Sequence, residues 1–130
     1  MNIPINAVTW VEIPVLDLGR AEAFYGAVFG WTFEHTTMHG LKMAMISMYP
    51  EQYGASGALV CGTGYVPAQY GVRIYLYCDD VANALERVVY YGGGVVLSTT
   101  PIEPWGFVGE FLDCEGNLIA LHCPPQTERA

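Results

Sequence analysis

The chain has 130 residues, with five Lys and Arg against thirteen Asp and Glu and a formal net charge of −8. That length suits one compact domain, and 52% hydrophobic against 14% charged residues excludes a disordered chain. So few cations on so acidic a chain also exclude nucleic acid and anionic lipid as partners, because phosphate binding needs clustered Lys and Arg.

The start, Met1-Asn2-Ile3-Pro4, lacks the basic segment and apolar run of a signal peptide, and no stretch nears the roughly 18 apolar residues of a membrane span. Residues 7–15, Ala7 to Val15, form a first strand rich in β-branched side chains. Asp17 then stands as an N-cap, followed by an apolar series at Leu18, Ala21, Phe24, Tyr25, Val28 and Phe29. Offsets of three and four describe one face of an amphipathic helix, which Gly30 stops. Three short strands follow, at Trp31–His35, Lys42–Met48 and Gly57–Cys61. About sixty residues on, the order recurs. Gly71–Cys78 reads as a strand and Asp79-Asp80 offers a cap. Val81, Ala84, Leu85, Val88 and Val89 predict a helix, and Gly92-Gly93-Gly94 ends it. Strands at Val95–Thr99, Gly106–Leu112 and Leu118–His122 complete the second copy, with a turn over Asp113-Cys114-Glu115-Gly116-Asn117. The plan is α+β: a βαβββ module over 1–62, a linker over 63–71 carrying Gly64 and Pro67, and a second βαβββ module over 72–130, in one compact domain. Cys61, Cys78, Cys114 and Cys123 form no CxxC pair. They read as reduced thiols, which predicts a cytoplasmic protein.

Certain residues carry a family likeness: Ile13-Pro14-Val15-Leu16-Asp17-Leu18, Phe24-Tyr25 and Phe29-Gly30-Trp31 in the first half. In the second they are Asp79-Asp80-Val81, the triple glycine, and Phe111-Leu112-Asp113-Cys114-Glu115-Gly116-Asn117. In these the chain resembles the vicinal oxygen chelate superfamily of glyoxalase I, extradiol dioxygenases and bleomycin-resistance proteins, most of all its short glyoxalase-like members. The last segment is similar to the family's Phe-x-Asp-Pro-x-Gly-Asn turn, with Cys114 in place of proline. The resemblance implies two modules forming open half-barrels around a cavity, and commonly a homodimer.

Strand alternation sends Val11, Ile13 and Val15 to the helices and Trp10 and Glu12 to the other face. Likewise Ile74, Leu76 and Cys78 pack while Arg73, Tyr75 and Tyr77 oppose them. Ile119, Leu121 and Cys123 pack, leaving Leu118, Ala120 and His122. Faces mixing charge, rings and imidazole suit a ligand cavity. The positions where the resemblance places metal ligands hold Trp10, Arg73 and Ala120, with no His, Asp or Glu near Gly57–Val60. None of these side chains offers an atom that binds Zn, Ni or Fe. The expectation is no cofactor, with a divalent metal held by shifted Glu12 and His122 as the alternative.

Arg73 needs a partner, and Glu12 is the predicted one. Alternatively its guanidinium forks onto a ligand carboxylate or phosphate. Glu12 or His122 is the candidate acid–base group. Trp105, in the Pro104-Trp105-Gly106 turn, caps the cavity or an oligomer interface. Met38, Met43, Met45 and Met48 fill core or line an apolar pocket wall. His35, His39 and the acids Glu22, Glu51, Glu86, Glu103, Glu110, Glu115 and Glu128 read as solvated surface. The leading expectation is a small-molecule binder using Trp10, Glu12, Arg73, Tyr75, Tyr77, Trp105 and His122. A glyoxalase-like lyase or isomerase, metal-dependent or acid–base, competes with it. A partner-binding accessory module is the third reading.

Overall fold

A computed structural model describes residues 4–126 of the chain. Met1–Ile3 and residues 127–130, with the predicted surface acid Glu128, lie outside the described residues. In chain order the elements are β1 (Val11–Pro14), α1 (Leu18–Phe29), β2 (Phe33–Met38), β3 (Leu41–Ile46) and β4 (Gly57–Cys61). They are followed by β5 (Tyr75–Tyr77), α2 (Val81–Tyr90), β6 (Gly94–Pro101), β7 (Phe107–Leu112) and β8 (Leu118–Cys123). The strands make two open four-stranded sheets of matching order, β1-β4-β3-β2 and β5-β8-β7-β6. Each sheet pairs its first and last strands in parallel and the rest antiparallel. The repeat predicted from the spacing is the architecture of the molecule.

Local chemistry sets the helix ends. Asp17 accepts a hydrogen bond from Arg20 N at 3.0 Å, filling one of the donors left open in the first turn, and Asp80 does the same for Asn83 N at 3.0 Å. Gly30 closes α1 in the left-handed region, at φ 72°, where a Cβ would be strained. In α2 the buried face is Val81, Ala84, Leu85 and Val88, whereas Val89 is exposed. Eight residues at 100° each leave Val89 rotated about 80° from Val81, at the rim of the stripe.

Both leading strands are shorter than predicted. β1 has a single partner, β4, whose first residue Gly57 pairs with Val11. Residues 7–10 therefore have no strand beside them. The backbones are so close here that a Cβ on Gly57 would stand 1.8 Å from the Val11 carbonyl oxygen. β5 begins at the Tyr75–Ala120 pair, because two residues earlier on β8 the Leu118 N–H is taken by the Ala68 carbonyl of the linker.

One apolar core joins both halves, running through β1, α1, β4, α2, β7 and β8 and including Ile13, Phe24, Tyr25, Leu59, Val88 and Phe111. Phe24 of α1 meets Phe111 of β7 with ring centroids 6.2 Å apart, and Tyr25 stacks on Trp31 at 5.2 Å. The Asp113–Asn117 turn fastens the second half to the first. Buried Asp113 accepts from Tyr25 Oη at 2.6 Å, Glu115 N at 2.8 Å and Asn117 N at 2.9 Å. Asn117 Nδ2 donates to the Pro14 carbonyl at 2.8 Å. Glu115, expected on the solvated surface, is instead buried under α1, accepting from Leu16 N at 2.7 Å and Arg20 Nη2 at 2.7 Å. Its place in a turn hid this, because turn acids are usually wet and the docking surface comes from residues 95–99 positions away.

Candidate functional site

The sheet faces turned away from the helices carry the residues singled out in the sequence. Register aligns two rows across the first sheet. Glu12 pairs with Ala58, Ala58 with Met45 and Met45 with Glu34, while Pro14 leads through Val60 and Met43 to Thr36. Met43, Ala58 and Val60 form a small buried cluster of their own, against which Trp10, Leu41, Met45 and Tyr65 pack half-buried. Met43 is thus core filling and Met45 packs half-buried beside it, whereas Met38 and Met48, expected to fill core or line a pocket, are exposed. Glu12 stands at the edge of this apolar floor, accepting from Tyr65 Oη at 2.5 Å and Trp10 Nε1 at 3.3 Å. Its bond to Glu12 pushes the Tyr65 phenol above its ordinary pKa of 10.0. Glu12 also lines a cleft of about 190 Å³ beside β1, bounded by Pro14, Tyr70, Val72, Ile74 and Leu118.

The second sheet aligns Tyr75 with Ala120 and Glu110, and Tyr77 with His122 and Val108. Here the expected Glu12–Arg73 ion pair gives way to another. Arg73 Nη1 donates to Glu110 Oε2 at 2.5 Å. Arg73 lies two residues before Tyr75 on the same face, and Glu110 is the acid that this row brings to it, whereas Glu12 belongs to the other sheet. Glu110 is correspondingly not a solvated surface acid, since its side chain is only 15% exposed. Tyr77 Oη donates to the Asp79 carboxylate.

His122 Nε2 lies 2.7 Å from the Trp105 carbonyl oxygen, so that nitrogen carries a proton and Nδ1 faces away as an acceptor when the ring is neutral. The Trp105 ring itself is largely exposed. Tyr75, Tyr77 and Phe107 of the second sheet are exposed as well, as are Tyr70 and Val72 ahead of β5. His35, predicted to be solvated, is exposed but bonded to Glu22 of α1 at 2.7 Å.

The structure therefore groups Trp10 with Glu12 on one sheet and Arg73, Tyr75, Tyr77 and His122 on the other. Sequence reasoning missed Tyr65, which lies in the linker without periodicity, and Glu34 and Glu110, whose place on these faces needs the strand register. Among the described residues no three His, Cys, Asp or Glu side chains group to hold a metal ion. All four cysteines are free, and burial pushes the Cys78 and Cys114 thiols up to about 11. No helix among the described residues is long and apolar enough to cross a membrane.

Two open four-stranded sheets, each with a helix on one face and rings and charges on the other, define an α+β fold of the glyoxalase and bleomycin-resistance type. The family model described as bleomycin resistance protein-like N-terminal matches residues 7–48. A glyoxylase-like domain-containing protein of Didymella fabae is 30% identical over 125 residues, covering 91% of this chain and 94% of its own length. The chain belongs to this family, within the vicinal oxygen chelate superfamily. TnmS3, an antibiotic binding protein from Streptomyces sp. CB03234, superposes with a TM-score of 0.68 at 26% identity, over 95% of this chain and 99% of that one. Glyoxalase I from Zea mays superposes with a TM-score of 0.66 at 20% identity, over 90% of this chain. The chain spans only 47% of the maize enzyme, and the likeness there is one of fold.

Proposed function

We propose that this protein binds a small, partly aromatic molecule against the open sheet faces, without the metal that the family's enzymes use, and that a homodimer closes the cavity. One observation carries the reading. On the face turned away from its helix, the first sheet carries half-buried Trp10, Leu41, Met45 and Tyr65 packed over buried Met43, Ala58 and Val60, with the Glu12 carboxylate held by Trp10 and Tyr65 at their edge. An apolar floor with a few convergent polar groups is the make-up of a ligand site. Tyr75, Tyr77 and Trp105 would wall the opposite side, with Arg73 and His122 as polar contacts. The antibiotic-binding neighbour of nearly the same length supports the choice of a binder.

The donor set argues against a metal on these faces. Trp10, Arg73 and Ala120 offer no suitable atom, and Glu12 and His122 are engaged on different sheets. The exposed Tyr75, Tyr77 and Trp105 are what a second copy would cover. The oriented His122, with Nδ1 open, favours acid–base chemistry as the second reading.

A thermal-shift screen run beside a turnover assay separates the two. Stabilisation by ligands without turnover of a methylglyoxal–glutathione adduct supports the binder. Turnover that rises with added Zn, Ni or Fe supports the enzyme and removes the metal-free reading.

A further inference from the structure

We infer that Cys78 and Cys123 form a reversible modification site, a dithiol that a water-sized hydroperoxide converts to a disulfide joining the ends of β5 and β8. Register brings the two together. Tyr77 and His122 are the last pair of the parallel β5–β8 ladder, and Cys78 and Cys123 each follow by one residue. The Cys78 N–H donates to the His122 carbonyl at 3.0 Å, so the chains still run side by side here. The ladder stops because Pro124 has no N–H to return to Cys78. Neighbouring strands lie about 4.7–4.9 Å apart, inside the Cα separation of about 4.4–6.8 Å that a disulfide spans. Both side chains belong to the core on the helix side, at 6% and 4% exposure. Cys123 Sγ lies 3.1 Å from the carbonyl oxygen of Asp79, the residue after Cys78, so this thiol already reaches across to the other chain.

Hydrogen peroxide is the oxidant that balances the step. One thiolate attacks a peroxide oxygen, the O–O bond breaks, and the sulfur becomes a sulfenic acid as hydroxide leaves. The second thiolate then attacks that sulfur. The S–S bond forms, and the S–O bond breaks with loss of another hydroxide. The two hydroxides take up the two thiol protons, so two cysteines are oxidised and one peroxide is reduced to two waters. Thiol reductants reverse the bond by exchange. Access comes through β5, a three-residue edge strand with β8 as its one partner, the kind of element that opens locally. Burial raises the Cys78 thiol to about 11 and keeps it protonated, so oxidation is slow at neutral pH and quickens as the pH climbs. Once formed, the bond fixes the chain between Tyr77 and the Asp80 cap of α2 against β8.

The test treats the reduced full chain, freed of reductant, with hydrogen peroxide at pH 8, quenches it in acid and maps it by mass spectrometry without reduction. The expected product is a linked pair of peptides carrying Cys78 and Cys123, lighter by two hydrogens, that dithiothreitol returns to free thiols. In the oxidised chain, amide exchange followed by NMR should slow at least about fivefold at Cys78 and Ala120, whose N–H groups bond to His122 and Ile74 across the two strands. Cys61→Ser should form the same link. Cys123→Ser should form none, and its Cys78 and Ala120 amides should exchange alike with and without peroxide. The wild-type map decides the matter even where that variant folds poorly. Cys78 and Cys123 still unlinked after Cys61 is fully oxidised, or either one linked instead to Cys61 or Cys114, overturns the inference. A Cys78–Cys123 link that leaves both amides exchanging as before overturns it too, since the sulfurs then meet only in an opened chain.

Discussion

A single carboxylate separates the two chemistries that the open faces offer. Glu12 is held by the neutral donors Tyr65 and Trp10, and Arg73 by the carboxylate of Glu110. Glu110→Gln should therefore release Arg73 and raise affinity for a small aromatic carboxylate such as phenylacetate severalfold in an NMR titration. Unchanged anion affinity would show that the Arg73–Glu110 pair does not gate this face. Stability should move little, since Glu110→Gln keeps a hydrogen-bond acceptor for Arg73, whose side chain is 45% exposed, and a partly solvated ion pair is worth about 1 kcal/mol. The thiols give a second residue-level expectation. With Cys78 and Cys114 pushed up to about 11, only about one molecule in a thousand carries either thiolate at pH 8. Mass-mapped labelling of the native protein at that pH should leave both unmodified when Cys61 is already derivatised. Rapid labelling of buried Cys78 or half-buried Cys114 would contradict these raised thiols.

At the scale of the elements, the helices were the most legible part of the sequence and the leading strands the least. Asp17, Asp80 and Gly30 announce their helix ends by local chemistry, so their positions follow from a few neighbouring residues. β1 begins where its partner β4 begins, at Gly57, and β5 begins where β8 leaves the linker carbonyl of Ala68 for Ile74, and that information lies about 45 residues away, at Gly57 and Ala120. The faces were legible because alternation is local: Trp10 and Glu12 do oppose Val11 and Ile13, and Tyr75 and Tyr77 oppose Leu76. The partners across each face were not, because register decides them. Arg73 was matched to the wrong acid for that reason, and Tyr65 escaped notice altogether. The close approach of β1 and β4 makes its own prediction. A Cβ at Gly57 would lie 1.8 Å from the Val11 carbonyl oxygen, so Gly57→Ala must pry the parallel pair apart. A loss of about 2 kcal/mol or more in urea unfolding is expected from such a backbone clash. A midpoint within error of wild type would mean that β1 is not fixed on β4 in this register.

For the whole molecule, the Asp113–Asn117 turn makes one cooperative unit of two similar halves. Removal of the Tyr25 hydroxyl in Tyr25→Phe takes one of the donors from buried Asp113 and should cost about 1–3 kcal/mol, with both halves lost in a single transition. Burial and then the neighbouring Asp113 raise the Tyr25 phenol well above its ordinary 10.0. Above that pH the unfolded chain gives up a proton that the folded chain keeps, so folding stability falls as pH rises beyond about 10. Tyr25→Phe should flatten part of that alkaline decline. An identical slope in the variant would separate Tyr25 from it.

The claim that joins these scales is that the open faces bind an organic ligand without a metal. Its most direct test is a fragment titration of the isotope-labelled full chain, followed by NMR first with a strong chelator and then with Zn, Ni or Fe added. Shifts gathered on Trp10, Tyr65, Tyr75, Tyr77 and Trp105, and unchanged by the metals, are the predicted result. Binding that begins only when a metal is supplied would contradict the claim.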